Sequence, residues 1–123
     1  MDDRRKYYRV KDERVKVIYK AMDPLSKEHK VPTVDISAGG ICLALNEKIP
    51  LQTMLEINIL LPDNNGPLLG LVKVVWQKEE MTQDKSGRSY YETGVGYIKL
   101  GFQNRKRIAQ FISSRLAQNR LSS

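Results

Sequence analysis

The stretch from Thr53 to Gln77 constrains the fold more tightly than any other part of the chain. In TMLEINILLP the residues Leu55, Ile57, Ile59 and Leu61 fall on one face of an extended strand, and in LLGLVKVVWQ so do Leu68, Gly70, Val72, Val74 and Trp76. The PDNNGP stretch between them is dense in turn formers, Pro62, Asn65 and Gly66 among them, so the two segments are predicted to pair as an antiparallel hairpin.

Other segments repeat the period of two. RVKVIYKAM sets Val15, Val17, Tyr19 and Ala21 on one face and Arg14, Lys16 and Lys20 on the other. DISAGGICL reads as a tight turn that leads directly into the apolar run Ile41, Cys42, Leu43, Ala44, Leu45. YYETGVGYIKL forms a further strand after a polar loop around Gln83 to Arg88, and its glycines Gly94 and Gly96 share a face that predicts a bend or a close neighbour. After Gly101 the period becomes helical: Ile108, Phe111, Ile112 and Leu116 form a stripe, Asn104 is the expected N-cap, and Arg115 and Arg120 lie toward the C-terminal end. The expectation is an all-β fold with a C-terminal helix: a small six-stranded antiparallel β-barrel over 13–123, whose helix, about 102–120, covers an open end or flank. A 123-residue chain that is 41% hydrophobic has enough apolar material for one core without disulfides. Residues 1–12 are too charged for that core and read as a flexible basic arm.

Several function classes find no support. No run of about 18 apolar residues is present to span a bilayer, and Met-Asp-Asp-Arg-Arg-Lys has no apolar stretch behind it to serve as a signal, so a cytoplasmic protein without membrane insertion is expected. Cys42 lies inside an apolar run and reads as a buried core thiol. His29, between Glu28 and Lys30, reads as a loop residue rather than a base, and the two do not make a metal cluster. Glu79 and Glu80 look like a solvated edge, and no phosphate-cradling or dinucleotide fingerprint is present. The chain is therefore not read as an enzyme, and neither a metal nor a cofactor is expected.

Charge points to an anionic partner. The formal net charge is +7, with Arg4, Arg5, Lys6 and Arg9 near the start and Arg105, Lys106, Arg107, Arg115 and Arg120 near the end. In the arm, RKYYR separates Arg5 from Arg9 by three residues, with Arg4 just before. Guanidinium groups can each make two parallel hydrogen bonds to a phosphate or to the O6 and N7 edge of guanine. By itself such a pair is as compatible with a solvated basic tail. In DISAGG, Asp35 and Ser37 can either cap the local turn or meet a ligand, with Gly39 and Gly40 permitting positive φ or close approach.

Taken together, these motifs resemble the PilZ domain family of bacterial cyclic di-GMP receptors. The family's RxxxR is matched by Arg5 and Arg9, and its [DN]xSxxG by Asp35, Ser37 and Gly40. The order that follows is also similar: a strand ending in Val75-Trp76, then Gly94-Val95-Gly96-Tyr97, then a helix. The resemblance covers nearly the whole chain and implies a stand-alone receptor module. It implies that Arg5 and Arg9 grip guanine edges and phosphates, that Asp35 and Ser37 contact a guanine, and that Gly39 and Gly40 shape the turn. Arg4 stands where an arginine in relatives goes with two intercalated ligand molecules. Trp76 is either a wall against a base or a core residue. The resemblance further implies that cyclic di-GMP orders the arm against the barrel and alters the surface seen by an unidentified partner protein, in motility, exopolysaccharide or virulence outputs.

Two alternatives remain open at the level of sequence. A nucleic-acid-binding barrel of OB or SH3-like type would use the basic ends with displayed aromatics, but Tyr7, Tyr8, Tyr90 and Tyr91 fall in two pairs rather than along one strand face. A PilZ scaffold that docks a partner without ligand would leave both motifs without a role.

Overall fold

The computed structural model describes residues 8–63 and 65–121. The expectations placed on Arg4 and Arg5, and on the side chain of Arg120, lie outside what is described. Seven strands and one helix follow one another: β1 (Lys16–Ala21), β2 (His29–Ile36), β3 (Gly40–Leu45), β4 (Met54–Leu60), β5 (Leu68–Gln77), β6 (Thr82–Gln83), β7 (Ser89–Lys99) and α1 (Phe102–Leu121). The sheet order is β3-β2-β1-β4-β5-β7, and β3 pairs back onto β7, closing an antiparallel barrel; β6 is a short addition to β7.

The period-two segments account for the core. The expected hairpin is β4–β5, with Leu55 opposite Val72, Ile57 opposite Gly70 and Ile59 opposite Leu68. Val15, Val17, Tyr19, Leu55, Ile57, Ile59, Leu68, Val72 and Val74 all face inward and are buried. Burying each large aliphatic side chain contributes about 1.5–3 kcal/mol of transfer free energy. A Cβ on Gly70 would crowd Leu100 Cδ1 at 2.8 Å and the Lys99 carbonyl oxygen at 3.0 Å, so β7 passes close here.

Four local expectations are corrected. His29 is not in a loop; it opens β2, and its ring stacks on Tyr19 with centroids 5.0 Å apart. Periodicity hides this strand because its register shifts between Thr33 and Asp35, so that Val31 and Ile36, of opposite parity, are both buried. The segment 8–12, assigned to a flexible arm, is tied down at Val10, which is buried and exchanges two 2.9 Å backbone hydrogen bonds with Ile36. Asn104 does not cap the helix. The carbonyl of Gly101, a residue at φ 85°, accepts the first helical bond from the Arg105 amide, while Asn104 donates from Nδ2 to the carbonyls of Leu69 and Leu100. Gly39 and Gly40 do not use positive φ; among the described glycines only Gly66, Gly87 and Gly101 do.

The helix closes the barrel as its stripe predicts. Ile108 and Ile112 join the buried core, with Phe111 and Leu116 packed against it. Polar anchors fix its position: Arg107 Nη2 donates to Asp63 Oδ1 at 2.9 Å and to the Gly66 carbonyl at 3.0 Å, and Arg115 Nε lies 3.1 Å from Asp12 Oδ2.

Candidate binding cleft

Asp35 and Trp76 reach the outer face of the barrel because the pleat is interrupted beside each of them. Uninterrupted alternation would place Asp35 with Val31 and Trp76 with Val74, both inside. In β2 the extra residue is Val34; in β5 it is Val75, between Val74 paired with Val95 and Trp76 paired with Gly94. Each bulge rotates the next side chain outward. The expectation that Trp76 continues the inward face of its strand is thereby corrected: Trp76 is 38% exposed.

The outward side chains form one row across four strands. Asp35 of β2 pairs with Cys42 of β3, Cys42 with Gly94 of β7, and Gly94 with Trp76 of β5. At the usual interstrand spacing, Asp35 and Trp76 stand roughly 14 Å apart. The Trp76 indole lies back over Gly94, and the low floor between it and Asp35 is made of Cys42, with the paired Gly40 and Gly96 alongside. The result is an open cleft of about 180 Å³ bounded by Arg9, Asp35, Val75 and Trp76.

Two glycines are required by what they touch. A Cβ on Gly40 would overlap the Val95 carbonyl oxygen, and one on Gly94 would overlap the Trp76 indole at Nε1 and Cε2. Gly40 therefore lets β3 close on β7, while Gly94 seats the tryptophan.

The turn Ile36–Gly40 is held from both sides. Ser37 Oγ accepts from the amides of Gly39 and Gly40 and donates to the Gly40 carbonyl, all at 3.2 Å, and the Ser37 amide donates to the same carbonyl at 2.9 Å. Tyr97 contributes from below, its hydroxyl donating to the Ser37 carbonyl at 3.1 Å. Burial raises the Tyr97 phenol well above its ordinary value, so it remains a donor. Of the two roles open to Ser37, the structure displays the turn-forming one.

Electrostatics concentrate at Asp35. Its carboxylate is largely buried and lies 3.7 Å from Arg9 Nη1, the arginine itself being 37% exposed. Burial raises the carboxyl group above its usual value, and the charges of Arg9 and Lys11 oppose the rise. Cys42 is a buried thiol, as its apolar run predicts, and it also lines the cleft floor. Burial, reinforced by Asp35, pushes its thiol up to about 12, so it stays protonated and inert at neutral pH.

The cleft thus gathers Arg9, Asp35, Ser37, Gly39, Gly40 and Trp76 from segments distant in sequence. Sequence reasoning missed Cys42 and Tyr97 as parts of the site. Among the described residues, no group of three or more His, Cys, Asp or Glu could hold a metal ion, and no helix is long and apolar enough to cross a membrane.

Comparison with known proteins places this geometry. No curated protein matches the chain. Among solved structures, the PilZ domain of YcgR from Escherichia coli, determined with c-di-GMP, superposes with a TM-score of 0.70 at 13% identity, over 98% of this chain and 97% of that one. The Bacillus subtilis inhibitor of motility MotI/DgrA gives 0.75 at 20% identity, covering 97% of this chain and 54% of the other. The MrkH–c-di-GMP complex from K. pneumonia gives 0.78 at 14% identity, covering 99% and 57%. The chain spans just over half the length of the MotI and MrkH chains that it matches. The family model described as PilZ domain matches residues 3–114, nearly the full length, and the chain belongs to the PilZ domain family.

Proposed function

We propose that the chain is a receptor for cyclic di-GMP, with the ligand bound in the cleft between Asp35 and Trp76. The observation that carries this reading is the cleft between Asp35 and the Trp76 indole, which lies over Gly94: a carboxylate and an indole on either side of a low floor of Cys42, Gly40 and Gly96. YcgR and MrkH, whose structures contain c-di-GMP, share the fold.

The chemistry follows from the groups present. The ionised Asp35 carboxylate is an acceptor for the N1 and N2 donors of a guanine, and Trp76 offers a π-face or wall beside the floor. Arg9, resting 3.7 Å from Asp35, exchanges that loose pairing for a phosphate or a guanine O6 and N7 edge. Arg5 and Arg4 add further guanidinium groups from the same segment, as the RxxxR resemblance implies. Val10 anchors the segment to Ile36, so ligand binding orders the chain before an already fixed hinge point rather than recruiting a free tail. The conformational entropy of ordering is offset by several charge-assisted bonds. The rearranged segment changes the surface offered to a partner protein.

Isothermal titration of the whole chain with cyclic di-GMP, run with GMP as a control and with Arg5→Ala beside it, tests this reading. Saturable binding at micromolar affinity or better, lost in Arg5→Ala, is the expected result, and a stoichiometry near two supports the part given to Arg4. An absence of binding, or equal binding of single-stranded DNA in competition, overturns it.

A further inference from the structure

Away from the cleft, the junction of β5, β7 and α1 exposes large apolar side chains among unpaired cations. Leu69 is 64% exposed, Phe102 71% and Ile98 42%. The backbone brings them together: Asn104, on the first turn of α1, holds the Leu69 carbonyl at 3.1 Å, and Leu71 pairs with Lys99 next to Ile98. Lys99, Arg105 and Lys106 are exposed, and none forms an ion pair among the described residues; Lys106 Nζ lies 5.6 Å above the Phe102 ring. Arg105 and Lys106 follow Phe102 by three and four residues and so share its side of the helix.

This arrangement opposes the intrinsic preference of the helix. The first turn of α1 contains no acid, and cations sit where the dipole is positive, which disfavours the helix. Exposed Phe and Leu side chains add nothing to the core. Glu28 and Glu56 border Leu69 on the side away from the helix, Glu56 within 3.9 Å of Lys20, while the cations gather on the Phe102 side, so that side of the apolar centre complements an anionic surface with accessible hydrocarbon.

We propose that this face, formed by Leu69, Ile98, Lys99, Phe102, Arg105 and Lys106, rests on an anionic phospholipid bilayer. Phe102, Leu69 and Ile98 enter the boundary between headgroups and acyl chains, and the three cations meet the lipid phosphates. The apolar centre distinguishes this from nucleic-acid binding, which depends on phosphate neutralisation and base stacking. The contact is peripheral, and it is independent of the cleft and of any ligand in it.

Flotation of the whole chain with vesicles of 70:30 phosphatidylcholine:phosphatidylglycerol, beside pure phosphatidylcholine, provides the test. Binding to the mixed vesicles only, weakened at high salt, is expected. Each cation near an anionic leaflet is worth about fivefold in partitioning, so Lys99→Glu with Lys106→Glu lowers it by more than about tenfold. Leu69→Ser with Phe102→Ser lowers it with no change in charge. The reversal Lys85→Glu with Arg88→Glu, matched in charge and at the far end of β7 from Lys99, and Arg5→Ala with Arg9→Ala in the basic segment, leave most of the binding intact. No flotation at low salt, equal losses in the matched-charge control, or binding carried by Arg5 and Arg9 overturns the proposal.

Discussion

The indole of Trp76 occupies the space that a side chain on Gly94 would need, so these two residues, facing each other across β5 and β7, define one wall of the cleft together. Replacing Gly94 by Ala forces the indole away from its seat. The overlap is expected to destabilise the fold by about 1–3 kcal/mol and to weaken cyclic di-GMP binding. Trp76 is the single tryptophan, so its fluorescence emission reports the displacement directly; an unchanged spectrum in Gly94→Ala would contradict this packing.

Gly40 makes a different demand, because its neighbour is backbone. A methyl group there meets the Val95 carbonyl, which cannot rotate aside as a side chain can. Gly40→Ala should therefore lower thermal stability more than Gly94→Ala does, by pushing β3 from β7 where the barrel closes. Thermal unfolding of the two variants side by side makes the comparison.

Arg9 separates binding from stability. Its ion pair with Asp35 is long and partly exposed, a geometry worth below about 1 kcal/mol to the fold. A bidentate charged contact to ligand is worth roughly 1.5–3 kcal/mol, or about ten- to a hundredfold in affinity. Arg9→Ala should show that loss in calorimetry while its melting temperature moves little.

Asp35 and Asp12 are predicted to respond to pH with opposite sign. Burial raises the Asp35 carboxyl above its unfolded value, so its ionisation opposes folding. Any stability linked to its protonated form is present at acid pH and is lost as pH rises through the folded value. If the ligand meets the ionised form, as proposed, affinity falls as pH drops through that same raised value; Asp35→Asn, which keeps an acceptor, should remove the pH dependence, and Asp35→Ala should weaken the binding itself. Titrations run from neutral pH downward through the raised carboxyl value measure the effect.

Asp12 is held below its usual value, first by hydrogen bonds from Arg14, with Arg115 of the helix adding its charge. Its contribution is present at neutral pH and is lost as pH falls through the depressed value. Asp12→Ala frees the helix from the segment that leads into β1 and should cost about 1–3 kcal/mol at pH 7. Chemical denaturation at pH 7 and at pH 3 should show the difference between variant and wild type shrinking at the lower pH.

The inner face of the barrel was legible in the sequence because β1, β4 and β5 up to Val74 keep an unbroken period of two, and the period changes cleanly to that of a helix after Gly101. The turn chemistry of PDNNGP and the apolar stripe of α1 are equally local. β2 escaped because Pro32 and the bulge at Val34 break the pattern by which a strand is read. Asn104 was misassigned because its side chain serves a carbonyl on β5, a partner that exists only once the helix has docked.

What the sequence determined by itself is the set of strands whose alternation is intact, the closing helix, and the residue types gathered in RKYYR and DISAGG. Those properties follow from side-chain chemistry at short range. Only the tertiary structure decided that Asp35 and Trp76 reach the outer face of the barrel, that the indole lies over Gly94, and that Cys42, Gly40 and Gly96 form the floor between them. The physical reason is that a single extra residue in one strand reverses every side chain beyond it, and whether it is accommodated as a bulge is set by register with the neighbouring strands.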